Sequence, residues 1–527
     1  MTSPTKIITR VGAAALAATT LTACLPATGE NGAQEAMPPG AKGECPAVKA
    51  PGDSAHRQLR AMWIATVGGA DWPKPGDRGG KERQQASFRK LLDTAKAMNL
   101  NAVVVQIRPN SDAFYDSPYE PWSQWITGKA GKDPGYDVLE FMLAEAHKRN
   151  LEFHAWFNPY RISRQADLSK LPADSPARRH PEWVRKYGSG LWYDPGVPQV
   201  RELATNAVMD VVRKYDIDAV HFDDYFYPYP EGGRYPDQAT YKAYGKGKSL
   251  AEWRRGNVDT LVRSLSQKIH QAKPWVRFGI SPFGVWRNKT SDPAGSDTRA
   301  LQSYDDQYAD TRKWVKEGWV DYITPQLYWS MNDPRASYTT LVRWWSDQVE
   351  DTGVQLTIGQ AAYRVGSDAT WRDPAELSRH LAFNKRYPQV RGDVYFSASS
   401  LAANTRGFAQ KLRDDHYQRP AIPPVAKGGR APMPAGDVSA TAEGGGKGVK
   451  VQWRPSRGST AYAVYRVAGR KPACAPVDAG ALIATVRGGG IIDPGARSGK
   501  TYTYYVTALD RTHRESAPAR GATVTGG

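Results

Sequence analysis

Two adjacent carboxylates stand in a stretch otherwise given to apolar and aromatic side chains. The segment AVHFDDYFYPYP, residues 219–230, sets Asp223 and Asp224 between strand-forming residues and a loop of tyrosine, phenylalanine and proline. Two carboxyl groups this close cannot both ionise freely, so one pKa rises and the pair can present a proton donor beside an anion. General acid catalysis on a polar bond is the chemistry such a pair can perform. The structural alternative is that one aspartate caps the following loop while the other pairs with an arginine such as Arg108.

Polar and aromatic residues recur at comparable places elsewhere: Arg108 and Asp112; Trp156, Asn158 and Tyr160; His221 and Tyr225; Gln326, Tyr328 and Trp329; and Tyr363. Each has a bland explanation, such as a buried ion pair for Arg108, a hydrogen-bonded core histidine for His154 or His221, or a loop cap for Gln326. Their common position is what packing alone leaves unexplained. The elements that hold them are eight short apolar runs, at 61–67, 101–109, 152–160, 218–224, 277–284, 321–329, 355–363 and 392–399. Helical periodicity lies between them, at 87–99, 138–150, 199–215 and 257–271. Alternation of this kind predicts parallel βαβ units, and eight units predict an α/β (β/α)8 TIM-type barrel whose active site sits at the C-terminal strand ends. Along the fourth run, period two sends Val220 and Phe222 toward the helices. That leaves Ala219, His221 and Asp223 facing the barrel axis, with Asp224 just past the strand.

Other chemistries find less support. The nine histidines show no H-x-x-x-H spacing, so the aspartate pair is not read as a zinc deacetylase site, and no metal or cofactor is expected. Neither a glycine-rich phosphate cradle nor a G-x-S-x-G elbow occurs. The formal net charge of +18 is spread along the chain without a dense basic run, which argues against nucleic acid as a partner and fits anionic surroundings. With 17 Trp and 27 Tyr, flat faces for stacking on sugar rings are plentiful.

The termini carry separate signals. Residues 1–23 read as an export signal, with Lys6 and Arg10 before an apolar run too short to span a bilayer. The tetrapeptide LTAC resembles a bacterial lipobox, which makes Cys24 a lipidation site and anchors the protein to the outer face of the cell membrane; the alternative is an ordinary cleaved signal with Cys24 incidental. Residues 24–56 read as a flexible tether. Cys45 and Cys474, the remaining cysteines, could form a disulfide in an exported protein. The barrel is assigned to 57–420 and a proline- and glycine-rich linker to 421–436. Residues 437–527 alternate in short strands, which predicts a small all-β immunoglobulin-like sandwich. Trp453 and YTYYVTALD at 502–510 resemble the core positions of a fibronectin type III domain. A linker of this composition predicts that a chain ending near Arg419 folds by itself.

Six segments in order, RAMWIATV, QIRPNSDAFYDSPYEPWS, HAWFNPYR, HFDDYFYPYP, GISPFGVWRN and ITPQLYWS, resemble the bacterial glycosyl-hydrolase-like 10 family of lipoproteins. The resemblance runs from about residue 57 to 420 and implies a TIM-type barrel and a cell-wall glycosidase acting on N-acetylated glycan, peptidoglycan above all. Carried over by position, Asp223 and Asp224 are its catalytic residues, with the aromatic and polar strand-end residues binding substrate. Glycosidases need two carboxyl groups flanking the bond, about 5 Å apart for retention and about 6.5–9.5 Å for inversion. Asp112 or Glu120 could supply the opposed acid; otherwise the acetamido group of the sugar attacks its own anomeric carbon while one aspartate orients it and the other protonates the leaving oxygen. Against the related D-x-D-x-E pattern this chain has His221, Asp223 and Tyr225, so the proton donor falls to Asp224 or elsewhere. The competing reading is a wall-bound scaffold that keeps the sugar cleft without turnover.

Overall fold

Every barrel strand pairs in parallel with its sequence neighbours. In the computed structural model, which describes Cys45 and residues 57–527, these are β1 (Leu59–Ile64), β2 (Ala102–Arg108), β3 (Glu152–Phe157), β4 (Ala219–Phe222), β5 (Arg277–Ile280), β6 (Tyr322–Ile323), β7 (Gln355–Gln360) and β8 (Val390–Tyr395). They close in chain order, with β8 pairing back onto β1, and give the TIM-type barrel that the alternating pattern predicts. The export signal, Cys24 and nearly all of the tether lie outside the described residues.

Strand alternation sorts the side chains into two cores. Val103, Val105, Phe153, Phe157, Val220 and Phe222 point outward and pack with Phe88, Leu92, Met142, Val208 and Leu261 of the surrounding helices. Ala61, Trp63, Ala102, Val104, Trp156 and Val394 point inward and fill the barrel. Among the helices are Lys81–Ala97, Val138–Lys148, Pro198–Lys214 and Leu250–Ala272. The last begins earlier than its apolar periodicity suggests, because Ser249 and Glu252 form a reciprocal capping box that starts the helix on a polar turn.

β6 is far shorter than its apolar run. Pro325 cannot donate to the ladder, so after Ile323 the chain continues through isolated bridges at Gln326 to Phe283 and Gly359. A three-stranded antiparallel sheet (Arg161–Ser163, Gly190–Tyr193, Val184–Tyr187) is inserted after β3 and rises beside the C-terminal strand ends.

The C-terminal part is an all-β sandwich. Its sheets comprise three strands (Gly436–Glu443, Gly448–Arg454, Gly490–Asp493) and four (Leu482–Val486, Ala461–Ala468, Thr501–Leu509, Ala522–Thr525). Trp453 is buried against Tyr462 between them. The sandwich is docked under the barrel, at the N-terminal strand ends. Arg57, just before β1, pairs with buried Glu515 at 2.9 Å, and His513 Nε2 lies 2.6 Å from Glu152 Oε1 at the start of β3. The segment after residue 420 is part of this contact: Ala421 and Ile422 are buried, and Ile422 accepts a hydrogen bond from Gln58 N–H and packs on Tyr465 and Leu509. Cys45 and Cys474 form a disulfide.

Candidate active site

At the opposite, C-terminal face, a cleft of about 300 Å³ opens over the barrel axis, lined by Trp63, Gln106, Trp156, Arg161, Asp223, Asp224, Tyr225, Tyr229, Ser281, Gln326, Tyr328, Tyr363 and Phe396. Asp223 follows β4 directly and is 3 % exposed; Asp224 is 7 % exposed.

The two aspartates are held differently. Trp156 Nε1 and Asn158 Nδ2 donate to Asp223 Oδ2 at 3.0 and 3.2 Å, and the Tyr225 N–H donates to Oδ1 at 3.2 Å. Asp224 accepts a short hydrogen bond from the Tyr229 hydroxyl at Oδ2, and Gln326 Nε2 donates to Oδ1 at 3.1 Å. Burial, reinforced by the charge of Asp224, pushes Asp223 up to about 7. Burial also raises Asp224 against the pull of its donors. The pair therefore holds one proton near neutrality, and the partners decide where it rests. All three partners of Asp223 are N–H donors that a carboxylic proton would displace, whereas a tyrosine hydroxyl can turn from donor to acceptor. The proton belongs on Asp224, and Asp223 is the anion.

Arg161 completes the wall. Its backbone N–H donates to Asn158 Oδ1, and its guanidinium lies 4.7 Å from the Tyr225 ring centroid, braced by Asn110 Oδ1 and the Pro109 carbonyl. Trp192 of the inserted sheet stacks on Tyr225 at 6.0 Å. At the rim Tyr363 is half exposed and meets Tyr328 edge to face.

Of the residues singled out in the sequence, Asp223, Asp224, Trp156, Tyr225, Gln326, Tyr328 and Tyr363 line the cleft. Asn158 stands behind it, orienting Asp223. Arg108 does not reach it. Its guanidinium is buried in a two-point ion pair with Glu120 and donates to the Asn158 and Pro159 carbonyls, so a charge read as substrate-binding instead locks two loops together. The same pair removes Glu120 as an opposed acid; its remaining contact is the Ser111 hydroxyl at 3.1 Å. Asp112 lines a separate hollow with Trp122 and Arg164, where burial raises it to about 6. Tyr160 is wholly buried in the outer core, Trp329 packs against Phe283, and His221 lies inside the barrel beneath the cleft.

Sequence reading passed over Arg161, Trp63, Tyr229 and Ser281 as site residues. Each lies within or beside the segments quoted for the family resemblance, and that proximity was the available signal. Among the described residues no group of three or more His, Cys, Asp or Glu side chains is arranged to hold a metal ion.

Residues 58–375 match the family described as Glycosyl hydrolase-like 10. The glycosyl hydrolase YngK of Bacillus subtilis is 46 % identical over 486 residues, 89 % of this chain and 94 % of the relative. The glycosyl hydrolase DigH of Escherichia coli K12 is 41 % identical over 372 residues, 66 % of this chain and 84 % of the relative. Among solved structures, the glycoside hydrolase domain of PgaB (BpsB) from Bordetella bronchiseptica covers 68 % of this chain and 98 % of its own at 13 % identity and TM-score 0.44.

Proposed function

The chain belongs to the glycosyl hydrolase-like 10 family and is a glycoside hydrolase, and from that premise we propose that its substrate is an N-acetylated cell-wall glycan, the peptidoglycan strand, cleaved with the help of the sugar's own acetamido group. The observation that carries this is the acid content of the cleft: among the described residues Asp223 and Asp224 are its only carboxylates, and they are chain neighbours. An ordinary double displacement needs a second acid across the bond, and here Glu120 is committed to Arg108 while Asp112 lies in another hollow. An acetamido oxygen attacking the anomeric carbon supplies the missing nucleophile. Asp223, ionised, steadies the acetamido N–H and the positive charge that spreads onto it. Asp224, protonated, gives its proton to the departing oxygen and then takes one from the water that opens the cyclic intermediate. The aromatic walls suit sugar faces, and Arg161 offers a donor to ring substituents.

We infer, too, that the enzyme works outside the cytoplasm, tethered through a lipid on Cys24. The lipobox-like LTAC supports this, as does the Cys45–Cys474 disulfide, because such bonds persist in oxidising compartments.

The test is incubation of the full chain with peptide-free and peptide-bearing peptidoglycan strands, with products identified by mass. Fragments from either are expected, and a thiazoline-fused N-acetylglucosamine, which has the shape of the cyclic intermediate, is expected to inhibit. Equal rates on the same glycan after chemical removal of its acetyl groups would sink the acetamido mechanism.

A further inference from the structure

A continuous line of polar side chains runs down the barrel axis beneath the cleft. Ser281 Oγ lies 2.9 Å from His221 Nε2, which also receives Trp63 Nε1 at 3.3 Å. His221 Nδ1 lies 3.0 Å from the Tyr322 hydroxyl, and the same hydroxyl lies 3.0 Å from His154 Nδ1. His154 Nε2 is 3.2 Å from Glu152 Oε2. Glu152 is also bound by Arg277 and, from the sandwich, by His513 Nε2 at 2.6 Å. Gly279 makes room for this line, since a Cβ there would sit 2.0 Å from the Tyr322 ring.

The direction of the protons follows from the ends. An indole N–H only donates, so His221 Nε2 accepts and its proton is on Nδ1, aimed at the Tyr322 oxygen. The tyrosine then gives its own proton to His154 Nδ1, and His154 donates from Nε2 to Glu152. Burial keeps both imidazoles neutral, His221 well below its usual value, and Glu152, which burial alone would raise, is held well below the carboxylate range by Arg277 and His513. One contact favours the opposite direction: Arg277 Nη2 approaches His154 Nε2 at 3.2 Å. Reversal would point a lone pair of His154 at the Glu152 carboxylate and an N–H of His221 at the Trp63 N–H. Two mismatches outweigh one.

With this direction the Ser281 hydroxyl, the nearer donor at 2.9 Å, shares the His221 Nε2 lone pair with the Trp63 N–H at 3.3 Å. Its alternative acceptor, the Phe222 carbonyl, is 3.4 Å away and already takes the Ser281 N–H at 2.8 Å. We propose that Ser281 is an acceptor-only, specificity-determining contact of the cleft, taking a hydrogen bond from a substrate N–H or O–H, and that its direction is set by the two ends of the line, the Trp63 indole above and, at the far end of the barrel, Glu152, which the sandwich helps to hold. The consequence for substrate rests on the reading of this cleft as the hydrolytic site; the proton order does not.

The first measurement is made on the full chain labelled with 15N-histidine, assigning His221 and His154 by loss of signals in His221→Gln and His154→Gln. His221 protonated at Nδ1 and His154 at Nε2 is the expected result; His221 protonated at Nε2 overturns the proposal. The second is a double-mutant cycle. A Gln at position 152 can donate to His154 and reverse the line, so Glu152→Gln is expected to lower kcat/KM about tenfold, mainly through KM, as loss of one hydrogen bond would. Ser281→Ala is expected to do the same, and Glu152→Gln to cost nothing further in the Ser281→Ala background. Additive losses overturn the proposal. Should Glu152→Gln fail to fold, Trp63→Phe removes the near-end donor and leaves the order to Glu152: His221 must stay protonated at Nδ1 in that variant, and protonation at Nε2 overturns the proposal. Full activity of Asp224→Asn would instead show that the hydrolytic site is misplaced, leaving the imidazole result to stand or fall alone.

Discussion

The aspartate pair is tested most directly by removing one charge at a time. Asp223→Asn and Asp224→Asn are each expected to lower kcat by roughly 10²–10⁴, the usual worth of a positioned acid or base, while leaving glycan binding nearly intact. An activated leaving group should rescue Asp224→Asn and not Asp223→Asn; the reverse pattern would exchange their roles. Because Asp223 stands at about 7 beside a raised Asp224, turnover is expected to fall as pH rises through about 7 and the shared proton leaves. Stability should move in step. A carboxyl whose folded pKa is raised contributes stability that is complete below its unfolded value of 3.8 and is lost as pH climbs toward 7. Asp224→Asn, which replaces the protonated member of the pair, escapes that loss, so it should melt higher than the parent at pH 8 and no higher near pH 4. A melting temperature unchanged at pH 8 would mean that the pair is not strained. Tyr363→Ala should raise KM about tenfold with kcat little changed if the exposed ring stacks on sugar. At this scale the aspartates were legible because nothing in the packing of a strand end calls for two carboxylates. Arg108 misled for a physical reason: sequence shows that a charge is present and not whether a partner twelve residues on has already neutralised it.

Elements explain where such charges can hide. The loop after β2 is closed on itself by Arg108 and Glu120, both at most 5 % exposed. Glu120→Gln should therefore cost about 3–5 kcal/mol of stability, as expected when one partner of a buried pair is removed, while kcat per folded molecule is kept. Loss of kcat without loss of stability would return Glu120 to the list of catalytic acids. Gly279→Ala probes the neighbouring layer. Its methyl cannot share space with the Tyr322 ring, so a loss of about 1–3 kcal/mol or more is expected in a denaturant titration. The strands themselves were readable from period two, since every second residue faces either helices or axis. β6 was overdrawn because apolar content persists past Pro325 although the ladder does not. The start of the helix at Leu250 was missed because a capped first turn is polar and carries no periodicity.

For the whole molecule, composition and contacts point different ways on mechanical independence. Proline and glycine between barrel and sandwich suggest a spacer, yet Gln58, Gln355 and Thr512 bond the backbone there, and Arg57 and Glu152 find their partners in the sandwich. A chain ending at Arg419 is thus expected to give little soluble protein or a markedly lower melting temperature, because it uncovers Ile422's neighbours and leaves Arg57 without Glu515. Wild-type melting of that truncation would restore the spacer reading. Cys24→Ala should move the protein from the membrane fraction to the soluble one; unchanged retention would speak against the lipid. The Cys45–Cys474 bond has its own consequence. It spans 429 residues, so the barrel and the first three strands of the sandwich lie within one covalent ring. A protease that cuts any single loop of that ring opens a circle without releasing a piece, and the nicked enzyme should migrate as one band until a reductant parts it into two.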